Sequence, residues 1–301
     1  YNACAALFRS MGNSRVSLFA SVIMNIVNIG GNALLIFGCG WGVAGAGTAT
    51  LVSRAAAAVL MLVLIANPAN VIHLHKIWNV RLEGKLIRSI LSIGVPNGFE
   101  NGLFNLGKLI MQTMVSTLGT AAIAANAILG SISGIVFVPG MAMGLAIITV
   151  VGQCVGAGDY EQAKYYIKKL MFITYIVLIL VNVPLLLLNN QVVGWFPLSA
   201  DAVAVCLQVL PVLSVLLMTV WPFAFALPNA LRAAGDARYT MLVSTVCMWT
   251  LRVGLCYVFI HYFNLGVAGA WYSMFIDWFG RIAFFVPRYL GGKWKTKTVI
   301  R

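Results

Sequence analysis

Only 9% of the residues in this chain carry charge, so the side chains able to bind ions, move protons or hold a polar ligand are few. The acids number seven: Glu83, Glu100, Asp159, Glu161, Asp201, Asp236 and Asp277. None forms a D-x-x-D or comparable metal cluster, which argues against a membrane-embedded enzyme acting on a lipid-linked donor. The six cysteines show no C-x-x-C spacing. His73 and His75, two apart, do not share a helical face and His261 is remote, so no metal site and no cofactor is expected. Gly156-Ala157-Gly158 has no preceding strand and no lysine at phosphate-loop spacing, and reads as a turn closing a helix.

The densest polar pattern lies between residues 86 and 116. Helical steps place Asn97, Glu100, Asn101, Asn105, Lys108 and Gln112 within about 140° of one another. At membrane depth such groups cost several kcal/mol unless they face a bundle interior or a water-filled cavity. The stripe is therefore read as the wall of a cation or substrate pathway, the alternative being that Glu100 and Lys108 tie helices together. Lys108 stands about 12 Å along the axis from Glu100, too far for a direct bond. Glu100 is accordingly expected to exchange a proton or cation rather than sit in a permanent ion pair. Gly94, Gly98 and Gly102, spaced by four, are expected to admit a close neighbouring helix. Asp277 and Arg281, also four apart, form a structural intramembrane pair. Arg54 and Arg252 have no local partner, and each either snorkels, pairs across helices or lines the pathway.

These side chains must be positioned by helices that cross lipid. The chain has 301 residues, is 61% hydrophobic and has a mean hydropathy of +0.94, whereas a water-soluble domain carries roughly 25% charged residues. Eight complete apolar spans are predicted near 16–37, 42–65, 86–116, 120–151, 162–188, 201–230, 238–261 and 266–289, after the tail of another helix at 1–8. Prolines 96, 139, 184, 211, 222 and 228 fall within or near them, where breaks suit hinges. The formal charge of +13 sits mostly in short loops rather than in a basic stripe interleaved with aromatics, which excludes a nucleic-acid surface. Every second loop is basic, including Arg9 with Arg15, Lys76 to Arg88, Lys164 to Lys169, Arg232 with Arg238, and the tail from Lys293 to Arg301. These loops and the C-terminus are expected to face the cytoplasm from the cell membrane.

An internal repeat organises the spans. Arg9, Gly12, Asn13 and Arg15 return 223 positions later as Arg232, Gly235, Asp236 and Arg238, each set reading R-x-x-G-[N/D]-x-R. Gly42-Val43-Ala44-Gly45-Ala46 returns 224 positions later as Gly266-Val267-Ala268-Gly269-Ala270. An even number of spans separates the copies, so they run in the same direction. The fold expected is an all-α polytopic bundle, the remnant of a twelve-helix protein made of two six-helix parallel repeats, with about four N-terminal helices missing. Residues 1–65 would end the first half, 66–85 would be a cytoplasmic linker, 86–290 the second six-helix half, and 291–301 a basic cytoplasmic tail.

The two R-x-x-G-[N/D]-x-R loops, Gly94-Val95-Pro96, and the run Val151-Gly152-Gln153-Cys154-Val155-Gly156-Ala157-Gly158-Asp159 resemble the multidrug and toxic compound extrusion (MATE) transporters. The resemblance spans the whole chain. It implies a monomeric secondary antiporter in the lipid bilayer, exporting small organic, often cationic, compounds in exchange for protons or sodium through a cleft between two halves. A lipid or polysaccharide flippase of the same fold is the alternative. The chain alone would be inactive without its four helices. Two features depart from the pattern: Phe104 stands eight positions after Pro96, where some branches carry an acid, and residues 202–231 contain no acid.

Overall fold

The computed structural model describes residues 1–73 and 83–296. His75, Lys76 and Arg81 of the linker and Lys297 and Arg301 of the tail lie outside them. The chain divides into two compact units, Tyr1–Glu83 and Gly84–Arg301.

The first unit contains α1 (Asn2–Ser10), α2 (Ser14–Asn32), a π-helical turn at Ala33–Gly38, and α3 (Gly42–Ile65). Its small core joins Ala5, Phe8, Ala20, Met61 and Ile65. Asn28 Nδ2 bridges α2 to α3 by donating to Ser53 Oγ and Thr50 Oγ1, each at 3.3 Å.

The second unit begins with α4 (Gly84–Ser116), α5 (Thr120–Gly156), α6 (Tyr160–Leu187), the short α7 (Asn189–Gly194) and α8 (Ala200–Thr219). It continues through α9 (Leu227–Ala233), α10 (Ala237–Cys247), α11 (Leu255–His261) and α12 (Gly266–Leu290). Two π-helical segments interrupt it, Pro222–Ala226 before α9 and Met248–Gly254 between α10 and α11. Pro222 lacks the N–H that an α-helical bond would need, which favours the irregular turn it opens. Asp159 caps α6 by accepting from the Gln162 N–H at 2.9 Å. The tail residue Trp294 is buried and donates from Nε1 to the Tyr289 carbonyl at 3.0 Å.

Among the described residues, six helical segments are long and apolar enough to cross a membrane: Ser14–Gly38, Gly42–Ile65, Thr120–Gly156, Tyr160–Leu187, Ala200–Thr219 and Ala237–His261. The sequence predicts eight spans. The remaining two, α4 with 33 residues and α12 with 25, have the length but carry the polar stripe and the Asp277–Arg281 pair, which lower their apolar character. α4 runs unbroken through Pro96. No described atom lies within 4 Å of a Cβ built on Gly94, Gly98 or Gly102, so no helix among the described residues makes the close approach expected there. It occurs at Gly107 instead, where a Cβ would stand 2.5 Å from Met248 Cε.

The repeat reappears as matched local geometry. In the first unit the Gly12 N–H donates to the Arg9 carbonyl at 3.0 Å and the Asn13 N–H to Phe8 at 2.9 Å. In the second, Gly235 donates to Arg232 at 3.0 Å and Asp236 to Leu231 at 2.9 Å. Gly12 and Gly235 both take positive φ, 78° and 89°, which a residue with a Cβ adopts only with strain. The turn recurs at Gly158 and Asp159, which donate to Val155 and Cys154 at 3.0 Å. Further on, Trp41 N–H to Leu35 and Leu265 N–H to Phe259, both 3.0 Å, close the turns before α3 and α12.

Candidate functional site

In α4 the residues Glu100, Phe104, Lys108 and Gln112 recur every fourth position and so project from one face. Against that face stand α5, the Pro222–Ala226 segment with α9, the Met248–Gly254 segment, and α12. Together they enclose a cleft of about 510 Å³ whose wall includes Glu100, Asn101, Phe104 and Lys108. Two glycines of α5 set its shape: a Cβ on Gly140 would lie 2.5 Å from the Trp221 ring, and one on Gly144 2.5 Å from Asn229 Nδ2. Aromatic rings form much of the wall. Trp221 stacks on Phe225 at 5.4 Å, and Phe225 meets Trp278 edge-on at 5.9 Å.

The structure corrects the expectation for Glu100. Its Oε1 accepts from Arg232 Nη2 in a close ion pair, and Arg232 Nη1 donates to Asn229 Oδ1 at 2.8 Å. The partner missing within α4 thus comes from the last turn of α9, 132 positions along the chain. Arg232 belongs to the repeated loop motif, but its counterpart Arg9 donates to Ser17 Oγ at 3.3 Å in the first unit. Gly12 and Gly235 form the turns described above, while Arg15 and Arg238 are exposed. Asp236 of the same motif accepts two bonds from Arg288, at 2.7 and 3.2 Å, tying that turn to the end of α12.

The asparagines of the stripe are partly spent on their own helix. Asn101 Nδ2 donates to the Asn97 carbonyl at 2.8 Å and Asn105 Nδ2 to the Asn101 carbonyl at 2.9 Å. Asn101 lines the cleft; Asn97 is exposed and does not. Gln112 Oε1 accepts from Asn126 Nδ2 at 2.9 Å, and Asn126 Oδ1 accepts from Trp271 Nε1 at 3.2 Å. These three residues line a second cavity of about 270 Å³, which shares Lys108, Phe137, Arg252 and Met274 with the first.

Deeper in α12, Arg281 Nε donates to both oxygens of Asp277 at 3.0 and 3.1 Å, and Nη2 reaches the Ser244 carbonyl at 3.2 Å. Arg252, left open by the sequence, is carried into the cleft by the Met248–Gly254 segment, with Nη1 4.0 Å from Asp277 Oδ2. Asn229 and the aromatic wall escape sequence reading altogether, because they converge from separate segments and carry no helical spacing in common. The wall is electropositive: Lys108, Arg232, Arg252 and Arg281 line it, against Glu100 at the surface and Asp277 behind.

Comparison with known proteins bears on what such a cleft serves. The model of the MatE family matches residues 96–258, more than half of the chain. Over 278 residues the chain is 26% identical to the Bacillus subtilis (strain 168) protein named uncharacterized transporter YisQ, covering 91% of this chain and 60% of that one. Over 311 residues it is 27% identical to a Thermotoga maritima protein named probable multidrug resistance protein NorM, covering 98% of this chain and 64% of that one. The backbone is similar to a crystal structure of MATE in a bent conformation, with a TM-score of 0.86 at 20% identity over 99% of this chain and 66% of that one. The chain thus spans less than two thirds of the length of these relatives.

Proposed function

Because the chain belongs to the MatE family of integral membrane transporters, we propose that it takes part in secondary active export of small organic compounds, driven by inward flow of protons or sodium. The observation that carries this reading is the cleft among α4, α5, α9 and α12, where charged and aromatic side chains line one space inside the bundle. Binding there and alternating exposure to the two sides would move the cargo, with the π-helical segments Pro222–Ala226 and Met248–Gly254 as the points of backbone adjustment. The transporter works as a monomer in the cell membrane.

Proteoliposomes containing the protein at the full length of its relatives, loaded with a panel of cationic, zwitterionic and anionic fluorophores, test the reading. At least one should move when a proton or sodium gradient is imposed and stop when an ionophore collapses it. Met141→Trp, at an exposed position on the cleft wall, should lower that flux at least fivefold without loss of inserted protein. Flux indifferent to both gradients would refute it.

The basic loops orient the bundle with Lys164 cytoplasmic and the nearly neutral 189–200 segment outside. In a cysteine-free background, a thiol reagent that does not cross membranes should label Asn190→Cys on intact cells and spare Lys164→Cys. The reverse pattern would invert the topology.

A further inference from the structure

Three cations converge on one aromatic ring in the cleft. Lys108 Nζ lies 5.5 Å from the centre of the Phe104 ring, the Arg252 guanidinium 5.4 Å and the Arg281 guanidinium 5.8 Å. A ring face attracts a cation through its quadrupole but has no net charge with which to neutralise it. The carboxylate beside them, Asp277, has both oxygens bonded to Arg281. Arg252 stands 4.0 Å from it, beyond hydrogen-bond distance. Arg252 is only 8% exposed, yet its Nε has no hydrogen-bond partner. Among the described residues Lys108 enters no ion pair, and Glu100 is taken by Arg232. Three cations facing one carboxylate leave an excess of two positive charges, and the burial of Arg252 makes that excess costly.

The repeat shows that bridging the helices does not need this charge. Asn28 and Ser53 stand 224 positions before Arg252 and Asp277. There a neutral hydrogen bond of 3.3 Å makes the corresponding link between α2 and α3. The second unit has ions where the first has amides and hydroxyls, so the excess charge calls for a ligand of opposite sign.

We propose that the cleft binds an amphipathic organic anion, its phosphate, sulfonate or carboxylate held between Lys108 and Arg252 and its apolar body against Phe137, Trp221 and Trp278. Lys108 and Arg252 line both cavities, so the anionic group sits where the two adjoin. Arginine offers paired donors to such a group and lysine a point charge. The proposal rests on the reading of this cleft as the cargo site and replaces the cationic cargo with an anionic one.

The test is equilibrium binding of radiolabelled 2-naphthalenesulfonate to the protein in phosphatidylcholine nanodiscs, beside the similarly shaped cation 2-naphthyltrimethylammonium. The anion should bind at least tenfold more tightly than the cation. Lys108→Gln, at an exposed position where folding is not at stake, should weaken it tenfold or more, and Arg252→Gln should do the same. Equal or tighter binding of the cation, or an unchanged affinity in Lys108→Gln, overturns the proposal. Given Lys108-dependent binding, nanodiscs containing phosphatidylglycerol distinguish the sources. Competition by that lipid assigns the site to an anionic headgroup; its absence assigns the site to a soluble anion. No gradient is applied, so failure here leaves gradient-driven flux intact, and failure of the flux assay leaves the binding result standing.

Discussion

Replacing Asp277 by alanine should destabilise the second unit more than any other single change to the cleft, by about 3–5 kcal/mol, the usual effect of leaving a buried charge without its partner. Asp277 is fully buried, Arg281 is 3% exposed, and Arg252 stands within 4.0 Å. Removing the one carboxylate strips Arg281 of its partner and takes from Arg252 the nearest negative charge. Asp277→Asn should do less harm, since the amide oxygen still accepts from Arg281 Nε. Asp277→Leu with Arg281→Met should recover part of the loss, because removing both ions together also removes the desolvation they required. Thermal unfolding in detergent reads the series directly: Cys206, Cys247 and Cys256 are buried and become reactive to a thiol dye as the bundle opens. An Asp277→Ala midpoint equal to the parent's would show that the pair adds nothing to the fold.

What the amino-acid sequence discloses about this molecule follows the range of the interactions involved. Spans are legible because twenty or so apolar residues in a row leave few alternatives, and the Gly12 and Gly235 turns are legible because a left-handed backbone selects glycine. The i,i+4 spacing of Asp277 and Arg281 is a property of the helix itself, so their contact can be read from spacing alone. The partner of Glu100 cannot, since it lies on α9 and only the packing of the unit selects it. Arg252 is hidden for a different reason. It lies in the π-helical stretch Met248–Gly254, which shifts the helical phase after α10, so the sequence leaves its direction open. The glycine row 94, 98, 102 has the spacing of a helix contact, but among the described residues the tight approach falls at Gly107, outside the pattern. Pockets assembled from several segments have no linear signature, and the electropositive wall exists only because packing brings Lys108, Arg252 and Arg281 around one ring.

The pair of Glu100 and Arg232 allows its tethering role to be separated from any part in coupling. Their side chains are 11% and 22% exposed, so each is largely withdrawn from solvent, and Arg232 is further held by Asn229. Glu100→Ala and Arg232→Ala should each destabilise the unit by roughly 2–3 kcal/mol, less than the fully buried Asp277 because water reaches the pair in part. The double variant should be less harmful than the sum, with a coupling energy of roughly 1–3 kcal/mol in a double-mutant cycle. Exchanging the two residues, Glu100→Arg with Arg232→Glu, restores the attraction while moving the carboxylate from α4 to α9. If the pair serves to hold α4 against the cleft, the exchanged protein should regain the parent's unfolding midpoint and at least half of its gradient-driven flux. That outcome is expected, because the bond from Arg232 to Glu100 Oε1 already links α9 to α4. A protein that regains stability but moves cargo independently of proton and sodium gradients would instead identify the carboxylate at position 100 as the coupling group.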